Sequence, residues 1–293
     1  MTRNTIQRLL VFFIGVPLFI AATVYASFGR NILLAFLVVV IQLLGVRESA
    51  GLFAAKAWRL NVVYLSILSA SSTILVYLSP LFAQLLPSSP SSLEILLAST
   101  IVGSLAVLAP FAFARADSFA DILPKIAASL FVFFYCGVLG SYLVYITSSF
   151  GQGTAPVLTF TLMTFGNDSL AWLVGITLGR KRGIVAVSPN KSLAGFIGGL
   201  LGSMIAGALA FFLFPGSNFR SPLSPILLGV ALGFSVIVGD LVESALKRSA
   251  GVKDSSSLVP GRGGVLDSFD SLLFSAPVFV LISAFFGFFP PLA

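Results

Sequence analysis

Nine apolar runs follow one another along this chain, each long enough to cross a bilayer as a helix. Covering the hydrocarbon core takes about 20 such residues. The runs fall at 9–28, 31–52, 60–82, 93–114, 122–146, 156–178, 193–214, 223–241 and 269–289. The second is the weakest, because Arg47 and Glu48 interrupt it. Arg3 and Arg8 precede the first, which is too long for a cleaved signal sequence and reads as a retained helix. The polar stretch at 87–92, Pro-Ser-Ser-Pro-Ser-Ser, is a loop between spans.

Hydrophobic residues make up 57% of the 293 positions and charged residues 9%. The mean hydropathy is +1.06. Soluble domains carry about 25% charged residues, so most of this chain cannot face water. The expectation is an all-α integral membrane protein of about nine transmembrane helices. Five spans lie in 1–150, and 151–293 holds the rest together with most of the chemistry.

The cations orient the helices. Of 17 Lys and Arg, only Arg30 and Arg220 fall in loops on one side; the others, from Arg3 to Arg262, fall on the other. The positive-inside rule makes the rich side cytoplasmic, with the N-terminus inside and the C-terminus outside. The net charge of +7 is thereby a matter of topology, and nucleic acid is not an expected partner. Histidine is absent, which removes imidazole from any acid–base or metal scheme. The lone Cys136 excludes an intrachain disulfide.

Topology does not require the acids. Asp168, Asp240 and Glu243 fall inside apolar spans or at their ends, where a carboxylate is costly and marks either a functional group or a structural ion pair. The segment 244–270 is densest in charge, with Lys247, Arg248, Lys253, Asp254, Arg262, Asp267 and Asp270 around a Pro-Gly-Arg-Gly-Gly turn that includes Gly263 and Gly264. Asp267 and Asp270 have helical i, i+3 spacing, as do Asp240 and Glu243. Carboxylates flanking a basic, glycine-rich loop suit a divalent cation with a polyphosphate, since Mg2+ combines one or two carboxylates with phosphate oxygens. Glycines let backbone N–H groups approach those oxygens. Upstream, Asp168 opens a block that continues through Arg180 to Ser188-Pro-Asn-Lys191-Ser192. That turn puts a lysine and two hydroxyls at a helix start, which favours phosphate. Gly195, Gly199, Gly202 and Ala206 share a face suited to close helix packing.

The segment resembles the signature of the phosphatidate cytidylyltransferases, the CDP-diacylglycerol synthases. Matching positions are Ser244, Lys247, Arg248, Lys253, Asp254, Ser256, Pro260, Gly263, Gly264, Asp267 and Asp270. The family's upstream elements are similar at Asp168, Ser169, Ala171, Trp172, Ser188, Pro189, Lys191 and Ser192. The resemblance is strong from about Asp168 onward and diffuse before it. Arg262 stands in place of the family's usual His, Ser268 of its Arg, and Ala194 of a Glu.

The resemblance implies transfer of a cytidylyl group from CTP to phosphatidate, with release of pyrophosphate. It implies Mg2+ held by Asp240, Asp267 and Asp270, and leaves room for a second, monovalent ion such as K+. Asp240, Lys247, Arg248, Asp267 and Asp270 would form the catalytic set. Lys253, Arg262, Lys191, Ser188, Ser192, Gly263, Gly264, Asp254, Asp168 and Arg180 would contact substrate. CTP, phosphatidate and membrane lipids are the implied partners, and a homodimer is compatible. The setting would be a bacterial inner membrane with the active face cytoplasmic. A CTP-dependent polyprenol or dolichol kinase, a transporter and a catalytically silent homologue are the alternatives.

Overall fold

Apolar runs in lipid have no water for their backbone groups and must close their hydrogen bonds internally, which helices do. The computed structural model describes residues 16–25, 28–85, 90–114, 116–150 and 154–289. The helices are α1 (Val16–Tyr25), α2 (Phe28–Ala54), α3 (Val62–Leu85), α4 (Ser92–Leu108), α5 (Ile122–Val132), α6 (Leu139–Ser148), α7 (Ala155–Thr177), α8 (Leu193–Leu213), α9 (Leu223–Ser249) and α10 (Leu266–Phe286). Among the described residues there is no β-strand, only two isolated bridges. Among the described residues eight helical stretches are long and apolar enough to span a membrane, α5 and α6 acting as the arms of one. They correspond to the second through ninth runs. Of the first run, at 9–28, residues 16–25 form α1, and 9–15 and 26–27 lie outside the described residues.

Two boundaries differ from expectation. Helix α2 continues unbroken through Arg47 and Glu48, because Arg47 points outward while Glu48 is buried and hydrogen-bonded. Helix α9 extends past 241 to Ser249, and Lys247 and Arg248 in its last turn complement the negative end of the helix dipole.

The N-terminal half is knitted by buried polar groups. A π-helical turn at Phe133–Val138 joins α5 to α6. Gln42 of α2 donates to two carbonyls of that turn, Cys136 O at 3.1 Å and Gly137 O at 2.8 Å. Its own oxygen accepts from Thr73 of α3 at 2.8 Å. A Cβ on Gly140 would overlap the Gln42 amide, so this crossing needs glycine. Ser72 and Ser99 then tie α3 to α4 at 2.9 Å.

In the C-terminal half, α7, α8, α9 and α10 pack in succession, and α10 also packs on α6 to join the halves. The glycine face of α8 does what its spacing suggested. A Cβ on Gly202 would overlap the Gly166 carbonyl oxygen of α7, and one on Gly199 would lie 2.7 Å from Asn167 Oδ1. Buried Asn167 donates to Ser203 at 3.1 Å and to the Gly233 carbonyl at 3.3 Å, linking α7, α8 and α9. On the opposite side of α8, Leu193, Ile197, Leu201, Ile205 and Leu209 form an uncovered apolar stripe, as a lipid-facing surface requires.

The loops segregate by charge. Lys56 lines one crevice with Ser249 and Ala250, and Glu48 reaches Ser255 and Ser256, all at the basic end. At the other end Asn31 donates to Thr147 O, and the Arg30 guanidinium lies 5.2 Å from the centre of the Tyr77 ring.

Candidate active site

The site forms where α9 ends and α10 begins, at the basic end of the bundle. Between them, residues 250–265 fold back on themselves. Val259 and Gly263 pair across a tight hairpin, with Val259 N–H donating to Gly263 O at 2.7 Å and Gly263 N–H to Val259 O at 3.1 Å. Pro260 and Gly261 are the central residues of its turn, and Arg262 N–H donates back to Val259 O. Gly261 has φ +76° and Gly263 φ +106°, conformations that only glycine adopts without strain. The Pro-Gly-Arg-Gly-Gly string is thus a hairpin that holds Arg262 exposed at its tip.

Asp267 anchors the hairpin. Its Oδ2 accepts from Ser255 N–H, Ser255 Oγ and Gly264 N–H, each at 2.7 Å. Its Oδ1 takes the Lys247 ammonium, which also pairs with Glu243 one turn earlier on α9. Glu243 is 1% exposed, so Lys247 compensates a buried charge on each side.

A second charge group lies beside it. In the loop between α7 and α8, residues 188–191 form a turn in which Lys191 N–H donates to Ser188 O at 3.1 Å. Ser192 then caps α8 by accepting from Gly195 N–H at 3.1 Å. Lys191 pairs with Asp240 and feels the charges of Asp270 and Asp168. Burial nevertheless pushes its ammonium down to about 8, against the pull of those acids. Asp168 interacts in turn with Asp270, Arg262 and Lys191.

The residues singled out from sequence therefore sort into three sets. Lys191, Ser192, Asp240, Lys247, Gly263, Gly264, Asp267 and Asp270 come together around α8, α9 and α10, and Asp168, exposed on α7, interacts electrostatically with that group. Arg248, Lys253, Asp254 and Arg262 are exposed around that cluster. Arg180 is also exposed, and Ser188 is half-buried in the loop that carries Lys191.

Three residues were missed. Glu48 on α2 accepts four hydrogen bonds from the signature segment. Ser255 joins two carboxylates. Tyr135, 2% exposed on the π turn, interacts electrostatically with Asp270 and Glu243, yet its hydroxyl has no hydrogen-bond partner among the described residues. Glu48 carried a sequence signal, a carboxylate within a span. The π turn carried none.

Whether Mg2+ suits this donor set is a matter of geometry. No group of three acids able to hold a metal forms among the described residues. Mg2+ needs only one or two carboxylates when phosphates complete its shell. Asp240 and Asp270 are the pair that would supply them. They lie on neighbouring helices, a Cβ on Gly239 falling 3.2 Å from Asp270 O, and the Lys191 ammonium already places a cation against Asp240 within the field of Asp270. Asp267 has both oxygens engaged by the hairpin and Lys247.

A basic, carboxylate-lined hairpin at one end of a bundle of membrane-length apolar helices marks the chain as a polytopic membrane protein with a charged site. The model of the cytidylyltransferase family matches residues 6–286, and the chain belongs to that family. It is 42% identical over 146 residues to a phosphatidate cytidylyltransferase of Staphylococcus aureus (strain COL), covering 49% of this chain and 54% of that protein. Against the Bacillus subtilis (strain 168) phosphatidate cytidylyltransferase it is 37% identical over 155 residues, 52% of this chain and 56% of the other. Against the uncharacterized protein YnbB of Escherichia coli (strain K12) it is 44% identical over 129 residues, 44% of this chain and 42% of that one. The matched segments span about half the length of these curated relatives.

Proposed function

We propose that this protein transfers the cytidylyl group of CTP to phosphatidate, forming CDP-diacylglycerol and pyrophosphate in phospholipid synthesis. A phosphate oxygen of phosphatidate attacks the α-phosphorus of CTP. The new P–O bond forms as the bond to the bridging oxygen breaks, and pyrophosphate leaves with the electron pair. The attacking phosphate is already ionised near neutral pH, so no general base is needed and the absence of histidine is no obstacle.

The observation that carries this reading is Lys247, bridged between Glu243 and Asp267 beneath a glycine hairpin that presents Arg262. Exposed Arg248, Lys253 and Arg262 would grip the phosphates from the open side, with Arg180 as a further contact. Lys191 and Ser192 would approach from the start of α8. Asp240 and Asp270 would hold Mg2+, which when bound screens the phosphate charges and stabilises the leaving pyrophosphate. Asp267 would fix the hairpin that frames the ion. The lipid would enter sideways from the bilayer with its headgroup at the basic end, taken as the cytoplasmic face of a bacterial inner membrane. A second ion such as K+ and a homodimeric state belong to the same reading, on the family resemblance alone.

Purified protein given Mg2+, phosphatidate and CTP should yield CDP-diacylglycerol, and CTP labelled on its γ-phosphate should yield labelled pyrophosphate. Labelled lipid phosphate with unlabelled CDP would instead mean a kinase. No product of either kind would overturn the reading.

A further inference from the structure

Glu48 is a buried carboxylate far along the chain from every residue of the signature, and all four of its hydrogen bonds go to that signature. Its Oε1 accepts from Ser256 Oγ at 2.6 Å and Val265 N–H at 2.9 Å. Its Oε2 accepts from Leu266 N–H at 2.8 Å and Ser255 Oγ at 3.0 Å. Among the described residues no lysine or arginine is paired with it, and it is 8% exposed. The charge is met by hydroxyls and by the first N–H groups of α10, where a helix offers free donors and the positive end of its dipole.

From this geometry we infer that Glu48 is a positioning residue for the nucleotide site, so that α2 of the N-terminal half sets the shape of the C-terminal signature. The four donors bracket the hairpin. Ser255 and Ser256 lie just before it, immediately after Lys253 and Asp254. Val265 and Leu266 lie just after it, immediately before Asp267. One carboxylate therefore fixes the distance between the two strands of chain that carry the phosphate-binding cations. The Ser255 hydroxyl sits between Glu48 and Asp267, 2.7 Å from the latter, so the two acids hold one serine in common. The fit is close on the remaining side. A Cβ on Gly264 would overlap Ser255 Oγ and fall 2.6 Å from Glu48 Oε2, which explains the glycine there without a positive φ.

The inference rests on the cytidylyl-transfer reading for its consequence, but its structural claim can be tested apart from activity. In full-length protein in detergent, Glu48→Gln keeps the side-chain volume, removes the charge and turns an NH2 group toward donors. Amide exchange across 255–266 should accelerate at least about tenfold in this variant, the scale of a lost charge-assisted contact. The KM for CTP should rise by about the same factor while the KM for phosphatidate stays unchanged. Glu48→Asp, shorter but charged, should recover part of both. Unchanged exchange at 255–266 in folded Glu48→Gln overturns the inference. So does an equal loss for both substrates with faster exchange throughout the chain, which is the mark of a general packing defect. If the wild type transfers no cytidylyl group, the exchange arm still decides whether Glu48 holds the hairpin.

Discussion

Asp267 accepts two hydrogen bonds from the same residue, the backbone N–H and the hydroxyl of Ser255, both at 2.7 Å. The pair pins the start of the hairpin to the start of α10 across eleven intervening residues of chain. Replacing Ser255 with Ala would remove the hydroxyl and leave the N–H bond. A net loss of about 1 kcal/mol is expected. CDP-diacylglycerol formation should fall several-fold in protein that still purifies as a folded species. Thermal unfolding in detergent and product formation measure the two effects separately.

Tyr135 offers a cleaner separation of stability from function. Its buried hydroxyl has no partner among the described residues, and an unsatisfied buried group of this kind opposes folding by about 1–3 kcal/mol. Tyr135→Phe should therefore melt no lower than the wild type. It should also lose activity by about tenfold if the hydroxyl is kept for bound substrate or ion near Asp270 and Glu243, since π turns of this kind recur at functional sites. A variant with full activity would assign the hydroxyl no role in turnover.

Lys191 links stability to pH. Burial lowers its folded-state value to about 8 from the ordinary lysine value of 10.5. Between those limits the unfolded chain binds the extra proton, so the contribution of Lys191 to stability rises as pH rises through that window. Below pH 8 the charged, half-buried ammonium opposes folding. Lys191→Met should then melt at or above the wild type at pH 7, with the difference shrinking as pH is raised toward 10. Asp240, left without its lysine, remains partly in water. The same variant should lose CTP-dependent product formation.

Chelation tests the ion. Removing Mg2+ with EDTA should abolish product formation, and added Mg2+ should restore it. Asp240→Asn and Asp270→Asn should raise the Mg2+ concentration needed for half-maximal rate. Asp267→Asn should act chiefly by loosening the hairpin, which amide exchange at 255–266 would register. Replacing K+ with a large organic cation in the same assay tests the monovalent ion.

Hydropathy alone placed the described spans, because a bilayer imposes length and polarity on every segment that crosses it. The helix start at Ser192 and the packing face of α8 were legible for a similar reason: each depends on residues within one or two turns. Asp240, Lys247, Asp267 and Asp270 stood out because charge is rare here. What the sequence did not yield is pairing at a distance. Glu48 and Ser255 are 207 residues apart, and nothing in the spacing of either points to the other. Arg47 and Glu48 read as a defect in a span, whereas one faces outward and the other is buried against hydroxyls and amides. Gln42 and the π turn were hidden likewise, since a buried amide is satisfied by carbonyls from a different helix.

The bonds from Glu48 also bear on how freely the two halves can be exchanged. A chimera that grafts residues 151–293 onto the first spans of another membrane protein would retain every signature residue and all the glycine contacts of α7 and α8. It would still lack the acceptor that closes the hairpin, unless the donor scaffold supplied a carboxylate at the same depth. The signature is thus not a transplantable cassette, and library designs that recombine such enzymes should place their crossover before residue 48 or carry that acid across.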